Sequence, residues 1–255
     1  MYGNNIEFSS DGLKLRGMIF EPDTQGSCPA VVLLHGIPRS KPQPGDPGYL
    51  PLARDLAGMG FLTVFFNFRG AGQSHGNFHI LGWSRDLNAM LDWLITNYGP
   101  ERICLLGFSG GAAVAIYNAA QDFRISALVS VSSPAHFRTL VNEDQIEQWL
   151  KCFREIGLIR EPDFPKSVPE WLKEFEEVSP INWIEKISPR PILIIHGEND
   201  DTVPAKHAQM LFERANEPKE IFWVKNGQHR LRVDEHALKR AKDWLKSWKD
   251  NRGET

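Results

Sequence analysis

The chain has 255 residues, 42% of them hydrophobic and 24% charged, with a formal net charge of -3. That length can bury a large core within one domain, and the small net charge, with signs interspersed rather than blocked, leaves no bulk attraction to nucleic acid or to an anionic membrane. No apolar run approaches the roughly 18 to 20 residues needed to span a bilayer, and Cys28, Cys104 and Cys152 are too few and too scattered for a disulfide framework or a zinc knuckle.

In chain order, Ile6 to Phe8 and Leu13 to Phe20 read as extended segments joined by Ser10-Asp11-Gly12, which is hairpin chemistry. The pattern then changes. Ala30 to Leu34, Leu62 to Phe66, Ile103 to Leu106, Ala127 to Val131 and Pro191 to Ile195 are short, nearly continuous apolar runs, as expected of parallel strands buried on both faces, and Glu220 to Val224 follows as a further strand. Helix-length stretches with polar faces lie between them, at about 49–58, 84–97, 111–120, 204–215 and 234–249. In the last, Ala237, Ala241, Trp244, Leu245 and Trp248 form one stripe, and the lysines and arginines fall on a solvated face. This alternation predicts an α/β fold, an open and mostly parallel sheet of about eight strands with helices on both faces, and ligands in such sheets bind at the carboxyl ends of the strands.

The segment from His136 to Trp183 breaks the rhythm. It has no buried-strand pattern, carries many aromatics, and predicts two amphipathic helices near 143–155 and 170–177 lying over the sheet as a cap, without the linkers of a separate domain. The expectation is a single domain over 1–255 with 136–183 as a helical cap insertion. Its aromatics either pack those helices or face a pocket. Trp149, Phe153 and Trp171 are the candidates for pocket lining.

The stretch Gly107-Phe-Ser-Gly-Gly111 follows one apolar run and precedes a helix-like one, which is the strand, sharp turn and helix of a nucleophile elbow centred on Ser109. A serine needs a base and a group that orients the base. The run Pro191 to Ile195 ends in a carboxylate-rich loop with Glu198, Asp200 and Asp201, and Asn226-Gly-Gln-His229 places a histidine after the next strand. His35 and His196, each before a glycine at a strand end, read as hydrogen bonders that order loops. His75 and His79 lack a third ligand at metal spacing, and Gly70-Ala-Gly72 has neither dinucleotide-binding nor P-loop spacing, so no metal and no cofactor is expected.

Leu34-His-Gly-Ile37, Asn67 to Ser74, Gly107 to Gly111, His196-Gly197 through Pro204 and Gly227-Gln-His229 together resemble the α/β-hydrolase fold superfamily, in its serine esterase and peptidase branch, over nearly the whole chain. The chain is similar in particular to small bacterial or archaeal acyl and feruloyl-type esterases and their aminopeptidase relatives. The resemblance implies Ser109 as nucleophile, His229 as base, and Asp200 as the acid through the pattern Asp-x-x-Val-Pro. It also implies an oxyanion hole from the backbone N–H groups of Ile37 and Gly110. The family often has Asp where Asn67 stands, at a position that stabilises a loop. The implied activity is hydrolysis of small-molecule carboxylic esters through an acyl-enzyme; the large apolar side chains of the insertion narrow the expected substrates to uncharged ones of small to medium acyl or aromatic type, and the few, scattered cysteines suit a reducing cytoplasm. A peptidase or a thioesterase would use the same triad, and a non-catalytic ligand-binding protein would use the same fold. Oligomeric state is not readable from the sequence.

Overall fold

A computed structural model describes residues 3–23, 26–138, 140 and 145–251. Residues 141–144 lie outside the described residues, and the start of the first expected cap helix, near 143, falls among them. The apolar runs become strands β1 (Asn4–Ser10), β2 (Leu13–Phe20), β3 (Ala30–Leu34), β4 (Leu62–Phe66), β5 (Ile103–Phe108), β6 (Ile125–Val131), β7 (Ile192–Gly197) and β8 (Lys219–Val224). They form one eight-stranded sheet in the order β1-β2-β4-β3-β5-β6-β7-β8. The hairpin turns at Asp11 and Gly12, both with positive φ, and β2 lies antiparallel to β4; from β4 to β8 every pairing is parallel.

The strands are apolar throughout because both faces are covered. Along β3, Ala30, Val32 and Leu34 enter one core while Val31 and Leu33 enter the other, and β5 divides in the same way. The second core is closed by α1 (Leu50–Gly58) and α7 (Glu235–Asp250), the latter through the stripe from Ala237 to Trp248. The first core takes α2 (Ile80–Tyr98), the wholly buried α3 (Gly110–Ala119) and α6 (Lys206–Arg214).

Two further helices, α4 (Ile146–Glu155) and α5 (Val168–Glu177), occupy the expected insertion. Ser167 caps α5 by accepting from the Glu170 N–H at 3.4 Å, with a proline in the first turn. Phe153, Trp171 and Phe175 surround Phe78, at ring separations of 5.3, 5.9 and 6.0 Å, so the segment shares the first core. Arg160 then stitches it to the loop after β4, donating to the carbonyls of Gly70, Gly72 and Ser74. Helix α2 starts four residues earlier than its sequence pattern suggests. His79 stands at its N-cap position, and Glu174 of α5 accepts from the Leu81 N–H at 3.2 Å, so an acceptor for the first turn comes from far along the chain.

Candidate active site

Three strand-end loops meet above the carboxyl ends of β5, β7 and β8. Ser109 sits between β5 and α3 with φ +52° and ψ -122°, a backbone region that costs a non-glycine residue about 1 to 3 kcal/mol. The turn persists because its surroundings over-determine it. The Ser109 N–H donates to Val131 O at 2.8 Å, and its carbonyl accepts from the N–H groups of Ala112 and Ala113. A Cβ at Gly107 would lie 2.6 Å from Ala112 Cα, and one at Gly111 would lie 2.3 Å from the His35 carbonyl oxygen. Glycine is therefore required at both, which is what the Gly-x-Ser-x-Gly spacing encodes.

Asp200 follows β7 and is 6% exposed. Its Oδ1 accepts the Val203 N–H at 2.7 Å and the Thr202 N–H at 3.0 Å. Burial works to raise its pKa, but the hydrogen bonds from His229 and from the Val203 amide outweigh burial and hold the carboxyl below its usual range. His229 follows β8. Its Nδ1 lies 2.8 Å from Asp200 Oδ2 and its Nε2 lies 3.0 Å from Ser109 Oγ. A carboxylate at Nδ1 calls for the hydrogen there, so Nε2 presents a lone pair to the serine hydroxyl. The loops after β7 and β8 are also sewn together: Asn199 N–H donates to Gly227 O at 2.9 Å, and a Cβ at Gly197 would meet that oxygen at 2.3 Å.

Ile37 and Gly110 lie on the other side of the serine. A Cβ at Gly110 would come within 3.4 Å of Ile37 N, and one at Gly36 would lie 3.0 Å from Ser109 Cβ, so the β3 loop runs against the elbow. His35 orders this loop, as the sequence suggested. Its Nδ1 donates to Gly36 O at 2.8 Å and its Nε2 accepts the Phe68 N–H at 3.1 Å. Burial pushes its pKa down to about 4, which keeps the ring neutral and able to serve as both donor and acceptor. Asn67, where the family often has Asp, takes a loop-ordering place: its carbonyl accepts from Ser74 Oγ, and its side chain fills the space beside Gly72.

Two features had no sequence signal. Residues 38–48 form a strap between α4 and the loop after β8. At one end the Arg39 guanidinium lies 5.7 Å over the Trp149 ring and the Arg39 carbonyl accepts from Cys152 Sγ; at the other, Asp46 accepts from Arg230 Nη2 at 2.6 Å and from Arg232. The Arg232 hydrogen bond, aided by the Gly48 N–H, pulls the Asp46 carboxyl down to about 2. The second is Tyr49, whose half-buried ring packs 5.3 Å from Phe108, directly before Ser109. Both depend on contacts between loops far apart in sequence, which no local pattern announces.

The three pocket candidates separate. Phe153 and Trp171 are each 3% exposed; their rings pack against Phe78 and each other, and the Trp171 indole N–H donates to Phe78 O at 3.1 Å. These two therefore belong to the core instead of lining a pocket. Trp149 alone is half-buried, at the Arg39 end of the strap. His79 is engaged by Arg69 and Glu174, and His75 contributes its backbone to the loop after β4. No helix among the described residues is long and apolar enough to cross a membrane.

Comparison with known proteins agrees with this architecture. An uncharacterised protein of Mycobacterium tuberculosis is 29% identical over 225 residues, covering 87% of this chain and 70% of its own. The Bacillus subtilis protein named "Uncharacterized peptidase YtmA" is 26% identical over 253 residues, covering 95% of this chain and 92% of its own. The solved Pyrococcus furiosus esterase Pf2001 superposes with a TM-score of 0.72 at 26% identity, over 97% of this chain and 93% of that one. Residues 29–156, about half of the chain and including the β3 loop, the elbow and α3, match the family model for the alpha/beta hydrolase fold, and the chain belongs to that family.

Proposed function

We propose that the protein is a serine hydrolase that cleaves small-molecule carboxylic esters, uncharged and of small to medium acyl or aromatic type, through an acyl-enzyme. The observation that carries this reading is the unbroken line of hydrogen bonds from Ser109 Oγ through His229 to Asp200, at 3.0 and 2.8 Å. A serine hydroxyl alone is a poor nucleophile at neutral pH, and this arrangement supplies what it lacks. Ser109 Oγ attacks the ester carbonyl carbon as its proton passes to His229 Nε2. The resulting imidazolium faces the Asp200 carboxylate and then returns the proton to the leaving alkoxide. Water, deprotonated by the same nitrogen, releases the acid.

The N–H groups of Ile37 and Gly110 receive the oxyanion, one from the β3 loop and one from the start of α3. Removing a donor of this kind typically costs about 2.7 to 4 kcal/mol of barrier. Trp149, beneath Arg39 on the strap, forms the apolar wall of the acyl pocket, with 136–183 acting as a cap on a single domain. A fluorophosphonate probe should label wild-type protein and fail on Ser109→Ala; labelling that survives the substitution refutes the assignment. Trp149→Ala should change preference among p-nitrophenyl esters of increasing chain length while leaving the labelling rate nearly unchanged.

One observation favours a second reading. The Bacillus subtilis relative is named a peptidase and aligns over almost its full length. Aminoacyl p-nitroanilides run beside the ester panel separate the two, because the triad itself does not choose the acyl group.

A further inference from the structure

We propose that His196 is a positioning residue for the triad: its Nε2–H anchors the Asp200–Val203 turn and faces the Asp200 carboxylate, holding that carboxylate in register with His229. The inference rests on the triad reading above.

His196 closes β7, is fully buried, and lies 2.8 Å through Nε2 from the Val203 carbonyl oxygen. A carbonyl can only accept, so the hydrogen is on Nε2 and the lone pair on Nδ1. Nδ1 has no hydrogen-bond partner among the described residues. The Trp223 ring, 6.3 Å away edge-on, packs beside the imidazole. The same Nε2 lies 3.4 Å from Asp200 Oδ2, the oxygen that receives His229 Nδ1 at 2.8 Å.

Val203 is thus held at both polar groups, its carbonyl by His196 and its N–H by Asp200 Oδ1 at 2.7 Å. Pro204 follows and brings no N–H of its own. Without the imidazole the Val203 carbonyl would be buried and unpaired, and the turn that delivers the Val203 and Thr202 amides to Asp200 would lose its fixed end. Asp200 would then be free to swing away from His229.

The charge arrangement supports the same division of labour. Burial holds His196 below the ordinary histidine range, and His207 of α6, which interacts with it electrostatically, is pushed down to about 4 by burial. Both stay neutral near pH 7, so neither competes for the Asp200 charge when an imidazolium forms at His229.

A matched pair of variants isolates the N–H. His196→Gln keeps a donor at the same distance along the side chain; His196→Met keeps the length and loses the donor. The fluorophosphonate labelling rate and kcat for p-nitrophenyl acetate should fall about tenfold or more in His196→Met, with KM within about twofold, and stay within about threefold of wild type in His196→Gln. In an Asp200→Asn background, His196→Met should slow labelling by less than about twofold further, because it acts through a carboxylate already lost. Should His196→Met not fold, His196→Asn, too short to reach Val203 O, carries the same expectation. Full activity in a folded Met or Asn variant overturns the proposal. So does an equal loss in Gln and Met, or an undiminished loss in the Asp200→Asn background, which marks a general structural role. If Ser109→Ala still labels, the triad reading fails by itself; if it does not and His196→Met matches wild type, only the positioning role fails.

Discussion

Among the three carboxylates of the β7 loop, geometry separates what composition leaves equal. Asp200 is buried and faces His229, whereas Asp201 is exposed beside the Thr202 hydroxyl and Glu198 is exposed and accepts the Asn226 N–H at 3.3 Å. Asp200→Asn should therefore lower kcat by about 10⁴-fold, by favouring the wrong imidazole tautomer, while Asp201→Asn and Glu198→Gln should cost less than about threefold. Steady-state kinetics on one ester decides it, and a large loss at Asp201 with Asp200→Asn near normal would reverse the assignment. The elbow glycines carry a different kind of necessity. A methyl at Gly111 would meet the backbone oxygen of His35 at 2.3 Å, so either the β3 loop or α3 must move. Gly111→Ala should lose about 1 to 3 kcal/mol of stability by chemical denaturation, and should lower the labelling rate of Ser109 as well. The positions of Ser109, Asp200 and His229, which the hydrogen bonds join, were legible in the sequence because each follows a strand end and is flanked by a residue type that its turn requires. The Asp46 pair with Arg230 and Arg232 was not, since nothing near Asp46 in the chain signals a partner so many residues away.

The elements themselves were read well where the signal is local. The stripe of α7 and its Asp234 cap, which accepts the Ala237 N–H at 2.9 Å, are both written in adjacent residues. The start of α2 is a different case. His79 is not a common capping residue, Gly82 sits in the first turn, and the acceptor for Leu81 belongs to α5. Gly82 is there because a Cβ would lie 2.4 Å from His79 Nε2 and 2.6 Å from Arg69 Cδ, a crowding visible only in three dimensions. Arg69 Nη1 can only donate to His79 Nε2, which leaves the histidine hydrogen on Nδ1, pointing at Glu174. Glu174 therefore joins α5 to the start of α2. Glu174→Ala should cost about 1 to 3 kcal/mol, because it strands the Leu81 N–H and the His79 N–H together, whereas the exposed Glu176→Ala should fall within about 0.5 kcal/mol of wild type. Denaturation midpoints at unchanged slope test the difference, and equal values for the two variants would show that the junction contributes nothing. The aromatics of α4 and α5 divide for the same reason. Phe153 and Trp171 complete the core around Phe78, so excising the segment would expose that core, and single substitutions at Trp149 are the informative experiment.

For the molecule as a whole, the fold class was legible because runs such as Ala30 to Leu34 are apolar at every position, which requires helices on both faces. The strand order was not legible. Parallel neighbours such as β3 and β5 are far apart in sequence, and their register is set by the packing of whole layers instead of by a turn. That layered packing also buries imidazoles, which sets how stability responds to acid. His35 and His207 are each pushed down to about 4 by burial, and burial lowers His196 in the same direction. In the unfolded chain these side chains take up protons near the reference value of about 6.5, so between about 6.5 and 4 the unfolded state binds more protons than the folded one. Stability rises with pH wherever that holds; it is fully present above about 6.5 and is lost as pH falls toward 4. Asp46 and Asp200, whose carboxyls are held below their ordinary values, act in a separate and lower window, where the unfolded carboxylates begin to protonate. The urea midpoint should therefore drop between pH 7 and pH 5, before any carboxylate contribution sets in. His207 offers a direct check, because its Nδ1 accepts the Ala135 N–H at 3.1 Å and an asparagine oxygen can accept in its place. His207→Asn removes one titrating group while keeping that acceptor, so the fall in midpoint from pH 7 to pH 5 should be smaller than in wild type. An unchanged pH dependence in a folded His207→Asn protein would mean that this buried imidazole does not supply the acid sensitivity.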